Sequence, residues 1–412
     1  MRILLLCHYF APEPGAPSAR LSELGRAWVH AGHDVEVVTC FPNHPTGVVS
    51  PEFRGQLCSS EERDGMRVFR NWVYATPNEG VVKKTLGHLS FMISGPLFSL
   101  FRVKRPDVVV VSSPTFFSLF SGYLFSRLRG APLVVEIRDL WPAAIVELGV
   151  LKSKAIIGFL EALEMWAYRK AAHVVVVTRS FKDNLVARGV PEAKISVVTN
   201  GVDLERFSPG PASAAVEEDL HCAGKSLVLY IGAFGISQGL ATILEVANLL
   251  RDRDDIVFGL VGEGADREKL LQRAAELGLK NVRFLGAQPK DRMVEFYRTA
   301  AVCLVPLRNV PLFKTFIPSK MFEILASGST IVASLEGEAE EILERSGGAR
   351  VVAPEDAGAI ARALLELVDN PELRRTLGRS GRDFVAANYS RTRLAETYAT
   401  TLATIRKAGD GR

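Results

Sequence analysis

Short continuous apolar runs alternate with stretches of helical periodicity through most of the chain, and this alternation restricts the fold more than any other feature. Runs such as 108–112 and 256–261 carry Val, Ile and Leu without polar alternation. Such runs are typical of strands buried on both faces of a parallel sheet, and parallel strands need crossover helices. The alternation occurs twice, on either side of a Pro- and Gly-rich stretch at 200–211. We therefore predict an α/β chain with two doubly wound, Rossmann-like domains that face each other across a cleft.

Composition and cysteine usage indicate the class of protein and its compartment. An apolar share of 48% with 23% charged residues is typical of globular proteins, and 412 residues exceed one ordinary core. The five cysteines are odd in number, widely spaced and without a C-x-x-C pair, which indicates neither a disulfide framework nor a zinc site. The first apolar run is too short for a signal peptide, and no run has the length of a membrane span. We expect a cytoplasmic protein.

The region 83–105 is basic at both ends and apolar between them. Lys83 and Lys84 precede the apolar part, and Arg102, Lys104 and Arg105 follow it. The apolar residues are Phe91, Met92, Ile93, Leu97, Phe98 and Phe101. A helix of this kind can lie peripherally on an anionic membrane surface, such as the inner face of the plasma membrane. It can equally be an internal helix with solvated ends, and both interpretations stay open.

Glycine-containing loops follow several predicted strands, a layout that lets the backbone approach a phosphate group. None of them has the spacing of a P-loop or of G-x-G-x-x-G, so NAD binding and ATP phosphotransfer are disfavoured. One glycine after a strand is usually only a turn, but three such loops predict a site for a phosphorylated ligand. The candidate binding residues are Gly15, Gly232, Gly235, Gln238, Gly262, Glu263, Gly264 and Leu285.

A predicted helix begins near Ser319 and places Lys320 and Glu323 on one face, at spacing i and i+3. The first N–H groups of a helix lack intrahelical partners and favour anions, and Lys320 adds a positive charge. The sequence therefore predicts a site for phosphates and hydroxyls. An ordinary helix start with a surface Lys–Glu pair is the alternative.

In the first half, charged and polar residues follow the ends of predicted strands. Arg138 and Asp139 end one strand, His8 ends the first, and Asn43 and His44 follow the second. Since ligands of doubly wound sheets bind at the carboxyl ends of strands, these residues are candidates for binding and chemistry. A strand-end ion pair between Arg138 and Asp139 and an inert His8 are the alternatives.

Six motifs, in their order along the chain, resemble those of the retaining, nucleotide-sugar-dependent glycosyltransferases of family 4, which have the two-domain GT-B fold. The motifs are the Gly15 loop, Asn200-Gly201-Val202-Asp203, Gly262-Glu263-Gly264, Glu323–Gly328, Glu341-Ile342-Leu343 and Asn388-Tyr389-Ser390. Segments 9–13, 42–47, 138–142 and 318–320 are similar to the branch that builds bacterial surface polysaccharides, which includes transferases of N-acetylated deoxy sugars such as N-acetyl-fucosamine.

The resemblance implies a division of labour. Residues 1–205 would bind the acceptor, residues 206–389 the nucleotide sugar, and a helix at about 390–412 would return to the first domain. It implies retaining transfer, without a metal or other cofactor, from a nucleotide diphosphate sugar, UDP by preference. The acceptor would be lipid-linked or a saccharide, and no nucleic acid would take part. A sugar-nucleotide epimerase of the same fold and a non-catalytic nucleotide-sugar-binding protein stay open as alternatives.

The resemblance also implies roles for single residues. Lys320 and Ser319 would hold the diphosphate and Glu323 the ribose hydroxyls. Arg138 and Asp139 would join Lys320 and Glu323 in catalysis, and His8, Asn43, His44 and Arg138 would contact the acceptor. The chain departs from the family pattern at three places: Thr315 replaces the first Glu of an E-x7-E motif, Phe234 and Gln238 occupy a loop that usually carries Arg and Lys, and Arg138 replaces a His.

Overall fold

The computed structural model describes residues 1–13, 15–44, 46–77, 80–113, 115–142, 146 and 151–410. The chain divides into two compact units, residues 1–199 with 391–412 and residues 200–390. Each unit is an α/β structure built on its own sheet of mostly parallel strands, as predicted. Pro14, Pro45 and most of 143–150 lie outside the described residues, so parts of the Gly15 loop and of segment 42–47 are not described.

The first unit contains an eight-stranded sheet in the order β3-β4-β2-β1-β5-β6-β7-β8 within the described part of the chain. Its strands are β1 (Arg2–Leu6), β2 (Asp34–Cys40), β3 (Cys58–Arg63), β4 (Met66–Asn71), β5 (Val108–Ser112), β6 (Leu133–Ile137), β7 (His173–Val176) and β8 (Ile195–Val197). The helices within its described residues are α1 (Ala16–His30), α2 (Gly80–Ser99), α3 (Ser118–Arg129), α4 (Lys154–Lys170), α5 (Arg179–Ala187) and, from the C-terminus, α14 (Arg391–Asp410).

Strand β3 is absent from the sequence-based prediction. It pairs antiparallel with β4 at the edge of the sheet, whereas the other neighbours pair in parallel. Its residues, CSSEER, contain no apolar run because an edge strand does not have to be buried on both faces.

Helix α14 packs against α1 and so belongs to the first unit. The Trp28 indole N–H donates to the carbonyl oxygen of Ala395 at 3.0 Å, and its ring meets Tyr398 edge-on at 5.3 Å between ring centroids. Trp28 and Tyr398 are fully buried.

The second unit contains a six-stranded parallel sheet in the order β11-β10-β9-β12-β13-β14. Its strands are β9 (Ser226–Ile231), β10 (Ile256–Val261), β11 (Val282–Leu285), β12 (Val302–Pro306), β13 (Ile331–Ser334) and β14 (Ala349–Val352). Its helices are α6 (Ala214–Asp219), α7 (Leu240–Leu249), α8 (Arg267–Glu276), α9 (Met293–Thr299), α10 (Lys320–Ala326), α11 (Glu338–Ser346), α12 (Ala357–Val368) and α13 (Pro371–Asn388).

Residues 200–205 lie in the second unit, although the sequence-based boundary assigns them to the first. The Val202 N–H donates to the carbonyl oxygen of Tyr389 at 3.0 Å. Val202 is fully buried in the core that also contains Phe207 and Val385. A single apolar side chain in a turn sequence does not show which of two cores will bury it.

Among the described residues, none of the helices is both long enough and apolar enough to cross a membrane.

Candidate active site

Two glycines at the ends of β9 and β10 form the backbone floor of the candidate site in the second unit. The Gly232 N–H donates to the carbonyl oxygen of Val261, and the Gly262 N–H to that of Leu285, both at 2.9 Å. Their φ angles, 149° and 146°, favour glycine. A Cβ on Gly262 would lie 1.8 Å from the Gly232 carbonyl oxygen. The strand ends can approach one another this closely only because residue 262 has no Cβ, whereas the space at Gly232 is bounded by the Lys320 and Tyr230 side chains.

Lys320, the first residue of α10, lies over this floor. A Cβ on Gly232 would be 2.6 Å from Lys320 Nζ, and Nζ is 4.0 Å from the centroid of the Tyr230 ring. Burial lowers the pKa of Lys320 to about 7, although the charge of Glu323 raises it. The amine is therefore about half protonated at neutral pH, and an anion bound beside it would favour the charged form.

Glu323 lies on the same helix. The buried Tyr297 hydroxyl donates to Glu323 Oε2 at 3.2 Å. Burial raises the pKa of Glu323, while Lys290 and the bond from Tyr297 lower it. In the described part of the chain, Glu323 Oε1 makes no hydrogen bond, so it can accept one from a ligand hydroxyl.

Gln238 lies near Lys320 because both contact Tyr230. The Tyr230 hydroxyl donates to the carbonyl oxygen of Ala233 at 2.7 Å and lies 3.3 Å from Gln238 Oε1. Gly235 precedes the short 3-10 helix Ile236–Gln238. The loop that follows β9 therefore reaches the same aromatic ring as the lysine.

The loop after β10 is held by the buried Phe234. The Phe234 N–H donates to the Glu263 carbonyl oxygen at 2.8 Å, and a Cβ on Gly264 would lie 2.4 Å from the Phe234 carbonyl oxygen. The Glu263 carboxylate lies 3.3 Å from the Arg267 guanidinium, and its side chain is 54% exposed.

The start of α10 offers fewer backbone donors than the sequence suggests. The N–H groups of Met321 and Phe322 donate to the carbonyl oxygens of Pro318 and Ser319, at 3.0 and 3.2 Å. The Ser319 side chain makes no capping bond, and the helix has only seven residues. The Lys320 amine, more than a helix terminus, supplies the positive charge here.

In the first unit, Glu13 joins the loops that follow β1 and β2. Its carboxylate accepts the N–H groups of Asn43 at 2.8 Å, His44 at 2.9 Å and Phe10 at 3.3 Å. Burial raises the pKa of Glu13, and these bonds oppose the rise. The predicted acceptor residues Asn43 and His44 therefore lie on one of two connected loops, and His8 lies at the start of the other.

The predicted acceptor residues of these loops differ in exposure. His44 is exposed and Asn43 is half-buried, whereas His8 is only 4% exposed. The His8 ring packs against His88 at 4.8 Å between ring centroids. Burial, His88 and Lys84 lower the pKa of His8, so its imidazole is neutral. His44 and Asn43 are thus better placed than His8 to contact a ligand.

Arg138 and Asp139 follow β6, and among the ion pairs of the described residues there is none between them, so this predicted alternative is not observed. The Arg138 Nε and Nη1 atoms are buried and make no hydrogen bond in the described part of the chain. Burial and the neighbouring Arg20 lower the pKa of Arg138 to about 10, and burial raises that of Asp139. A buried guanidinium with open donors has capacity for an anionic or hydroxyl-rich ligand.

Glu136, at the end of β6, pairs instead with Arg20 of α1. Glu136 Oε1 accepts from Arg20 Nε at 3.3 Å and from the Ser112 hydroxyl at 3.0 Å. The other guanidinium nitrogens of Arg20 donate to the carbonyl oxygens of Val198 and Thr199, both at 2.9 Å. This buried pair supports the strand ends beside Arg138.

Sequence reasoning missed Glu13, Arg20, Tyr230 and Tyr297. Glu13 lies in the loop between the first apolar strand and the first helix, seven residues beyond the end of β1, and this loop position was the available signal. Arg20 looks like an ordinary helix-surface residue, and the two tyrosines look like core residues, because their partners are distant in the sequence. Among the described residues, no cluster of three or more His, Cys, Asp or Glu could hold a metal ion. The absence of a metal from the reaction stays a prediction.

Comparisons with known proteins match both units. A glycosyl transferase 4-like domain matches residues 15–201, and the glycosyl transferases group 1 family matches residues 216–384. The putative colanic acid biosynthesis glycosyl transferase WcaI of Escherichia coli K12 is 27% identical over 385 residues, which is 90% of this chain and 93% of that protein.

Solved structures of the same fold cover almost the whole chain. Sucrose-phosphate synthase from Thermosynechococcus elongatus has a TM-score of 0.77 at 20% identity, covering 99% of this chain and 100% of that one. HepE from Anabaena, in complex with UDP-glucose, has a TM-score of 0.72 at 17% identity, covering 98% and 100%. The predicted fold class is thus confirmed, and the comparisons give no support to the epimerase or to the non-catalytic protein.

Proposed function

We propose, on the premise that the chain belongs to the glycosyltransferases of group 1, that it transfers a sugar from a UDP-sugar to a lipid-linked or saccharide acceptor. The product would be part of a bacterial surface polysaccharide, as the name of the relative WcaI suggests. UDP is favoured because HepE, of the same fold, is described with UDP and UDP-glucose. The proposed donor sugar is an N-acetylated deoxy sugar, because segments 9–13 and 318–320 resemble those of transferases that use such sugars.

The observation that carries this proposal is the Lys320 amine above the Gly232 backbone. Departure of UDP requires stabilisation of the negative charge that develops on its diphosphate, and a preorganised donor can contribute about 3 kcal/mol to this. Lys320 Nζ would lie 2.6 Å from a Cβ at Gly232, so a diphosphate resting on this glycine is within reach of the ammonium. An amine with a pKa of about 7 can take up a proton as the anion arrives.

Glu323 would bind the ribose. Tyr297 occupies Oε2, so Oε1 is available to accept a ribose hydroxyl. Thr315, which stands where the family has the first Glu of the E-x7-E motif, donates its hydroxyl to the Leu312 carbonyl oxygen at 2.7 Å. Recognition of the donor sugar would therefore depend on other residues of the second unit.

For the chemistry we propose transfer with retention and without a metal. The acceptor hydroxyl would attack from the side of the leaving group, and its proton would pass to an oxygen of the departing diphosphate. No second carboxylate is then needed as a base, in contrast to glycoside hydrolases.

We assign the acceptor to the first unit. The open donors of the Arg138 guanidinium, with Asn43 and His44 on their connected loops, suit a phosphate or a sugar hydroxyl of a lipid-linked acceptor. Asp139 stands beside Arg138 and lowers the cost of its charge. All five cysteines are free thiols, which supports the cytoplasm as the place of reaction.

A ligand screen followed by a turnover assay tests this function. UDP-, GDP- and ADP-sugars are compared by thermal shift, where a ligand at a hundred times its Kd raises the free energy of unfolding by about 2.7 kcal/mol. We expect stabilisation by UDP-sugars and release of UDP that depends on an added acceptor. Stabilisation by a nucleotide sugar with no acceptor-dependent release, whichever acceptor is offered, would contradict a transferase.

A further inference from the structure

Helix α2 presents an apolar stripe to solvent. Val82, Leu86, Ile93 and Leu97 recur at helical spacing and are 74%, 47%, 62% and 67% exposed, and Phe101, just beyond the helix, is 86% exposed. At about 100° per residue the four helical positions fall within one narrow sector, and they extend over about 22 Å. Apolar stripes normally face a core, so an exposed one marks an interaction surface.

The opposite face of α2 is fixed to the first unit. Phe91 is fully buried, so this residue of the predicted membrane segment belongs to the core and cannot contact a membrane. The Ser94 hydroxyl donates to the Trp72 carbonyl oxygen at 2.5 Å, and the Ser121 hydroxyl of α3 donates to that of Met92 at 2.8 Å. The stripe thus lies on the face of α2 that points away from these contacts.

A basic groove of about 1370 Å³ lies at the edge where strands β5 to β8 begin. Its lining includes Arg2, Arg105, Arg127, Arg169, Lys170 and Arg406. Within the described residues Asp107 is its sole acidic member, and Arg406 lies 3.4 Å from it. His8 and Arg138 follow strand ends, at the opposite edge of the same sheet, so this groove is separate from the proposed acceptor site.

The groove and one end of the stripe are close along the chain. Arg105 of the groove follows Phe101 by four residues, and Arg127 is next to Leu128, which is 59% exposed. Leu124, one turn earlier on α3, is 40% exposed. The surface therefore combines a cationic recess with an apolar margin.

We propose that this face of the first unit docks on an anionic phospholipid bilayer, with the α2 stripe in the interface and lipid phosphates in the basic groove. The inference deepens the proposed function and rests on it in one respect, since a lipid-linked acceptor has to be reached at a membrane. A soluble polyanion would neutralise the groove but leave the stripe in water. A second copy of the chain would bring two cationic grooves together in a symmetric pair, which their charges oppose.

Vesicle flotation of the full chain tests the docking surface. Vesicles of phosphatidylcholine alone are compared with vesicles that also contain phosphatidylglycerol. We expect binding to the anionic vesicles, reduced about tenfold or more by Leu97→Ser with Phe101→Ser, and similarly by Arg105→Gln with Arg127→Gln. Leu249→Ser, which changes a leucine of the second unit that is 58% exposed, is the matched control and should leave binding within about twofold.

Several results would overturn the docking proposal. They are equal binding to both kinds of vesicle, binding unaffected by either double variant, capture of inorganic polyphosphate without vesicle binding, or a dimer that Phe101→Ser dissociates. UDP release with a water-soluble acceptor separates the two claims. The docking variants should release UDP with this acceptor at the wild-type rate. If the wild-type protein binds vesicles but releases no UDP with any acceptor, the transferase proposal fails and the docking proposal stands.

Discussion

Replacement of Lys320 by methionine should stabilise the second unit and strongly slow transfer. The amine has a pKa of about 7 in the fold against an ordinary 10.5, which corresponds to a cost of about 5 kcal/mol for holding the charge below pH 7. Screening of the partly exposed side chain and the lost contact with the Tyr230 ring reduce this gain. We expect Lys320→Met to raise the free energy of unfolding by about 2 to 4 kcal/mol at pH 7.

The stability gain should depend on pH in a defined direction. Between pH 7 and 10.5 the unfolded chain binds a proton at Lys320 that the folded chain does not, so wild-type stability rises with pH in that window. The advantage of Lys320→Met should therefore shrink by at most about 1.4 kcal/mol per pH unit above pH 7. Lys269→Met, at an 83% exposed lysine of the same unit, is the control and should show no such slope.

Urea unfolding followed by circular dichroism is the appropriate assay. All four tryptophans, at 28, 72, 141 and 166, lie in the first unit, so their fluorescence would not report on Lys320. Transfer by the variant should fall by about a hundredfold or more in kcat. A variant that is less stable than wild type at pH 7, or that keeps wild-type turnover, would refute the assignment of a desolvated, catalytic amine.

Three further substitutions test the surroundings of the site. Gly262→Ala should lower the free energy of unfolding by about 2 to 4 kcal/mol, since its Cβ would lie 1.8 Å from the Gly232 carbonyl oxygen; an unchanged thermal midpoint would contradict this. Glu323→Gln should raise the KM for the donor about tenfold while folding is kept, because the Tyr297 hydroxyl can still donate to the amide oxygen; an unaltered KM would remove Glu323 from donor binding. Glu13→Ala should destabilise the first unit by about 2 kcal/mol, as three backbone N–H groups lose their acceptor; tryptophan fluorescence in urea measures this, and a loss below about 0.5 kcal/mol would contradict it.

The fold was predictable from the sequence where buried strands consist of uninterrupted apolar residues. Strands such as β5 and β10 are covered on both faces, so they contain uninterrupted apolar runs. Strand β3 pairs on one side only and has no buried residue, so its sequence is polar and does not predict a strand. The boundary at 200–205 was misplaced because Val202 is buried by residues almost two hundred positions away, such as Val385.

The candidate site was predictable in its charged residues and not in their supports. Lys320 and Glu323 stand out as a charged pair at the start of a helix. Tyr230, which lies beneath the Lys320 amine, is separated from it by ninety residues, and Tyr297 meets Glu323 only after α9 and α10 pack. Contacts of this kind depend on tertiary geometry that no local pattern records. The residue roles assigned to Lys320, Glu323 and Arg138 stay predictions.

Proton uptake on UDP binding tests the central claim most directly. At pH 8 an amine with a pKa of about 7 is only about one-tenth protonated, so a bound diphosphate should draw in about 0.9 proton. Calorimetric titration in buffers of different ionisation enthalpy counts this proton. We expect about 0.9 proton for the wild-type protein and none for Lys320→Met, with weaker binding. Equal proton counts and equal affinity in the two proteins would show that Lys320 does not receive the diphosphate.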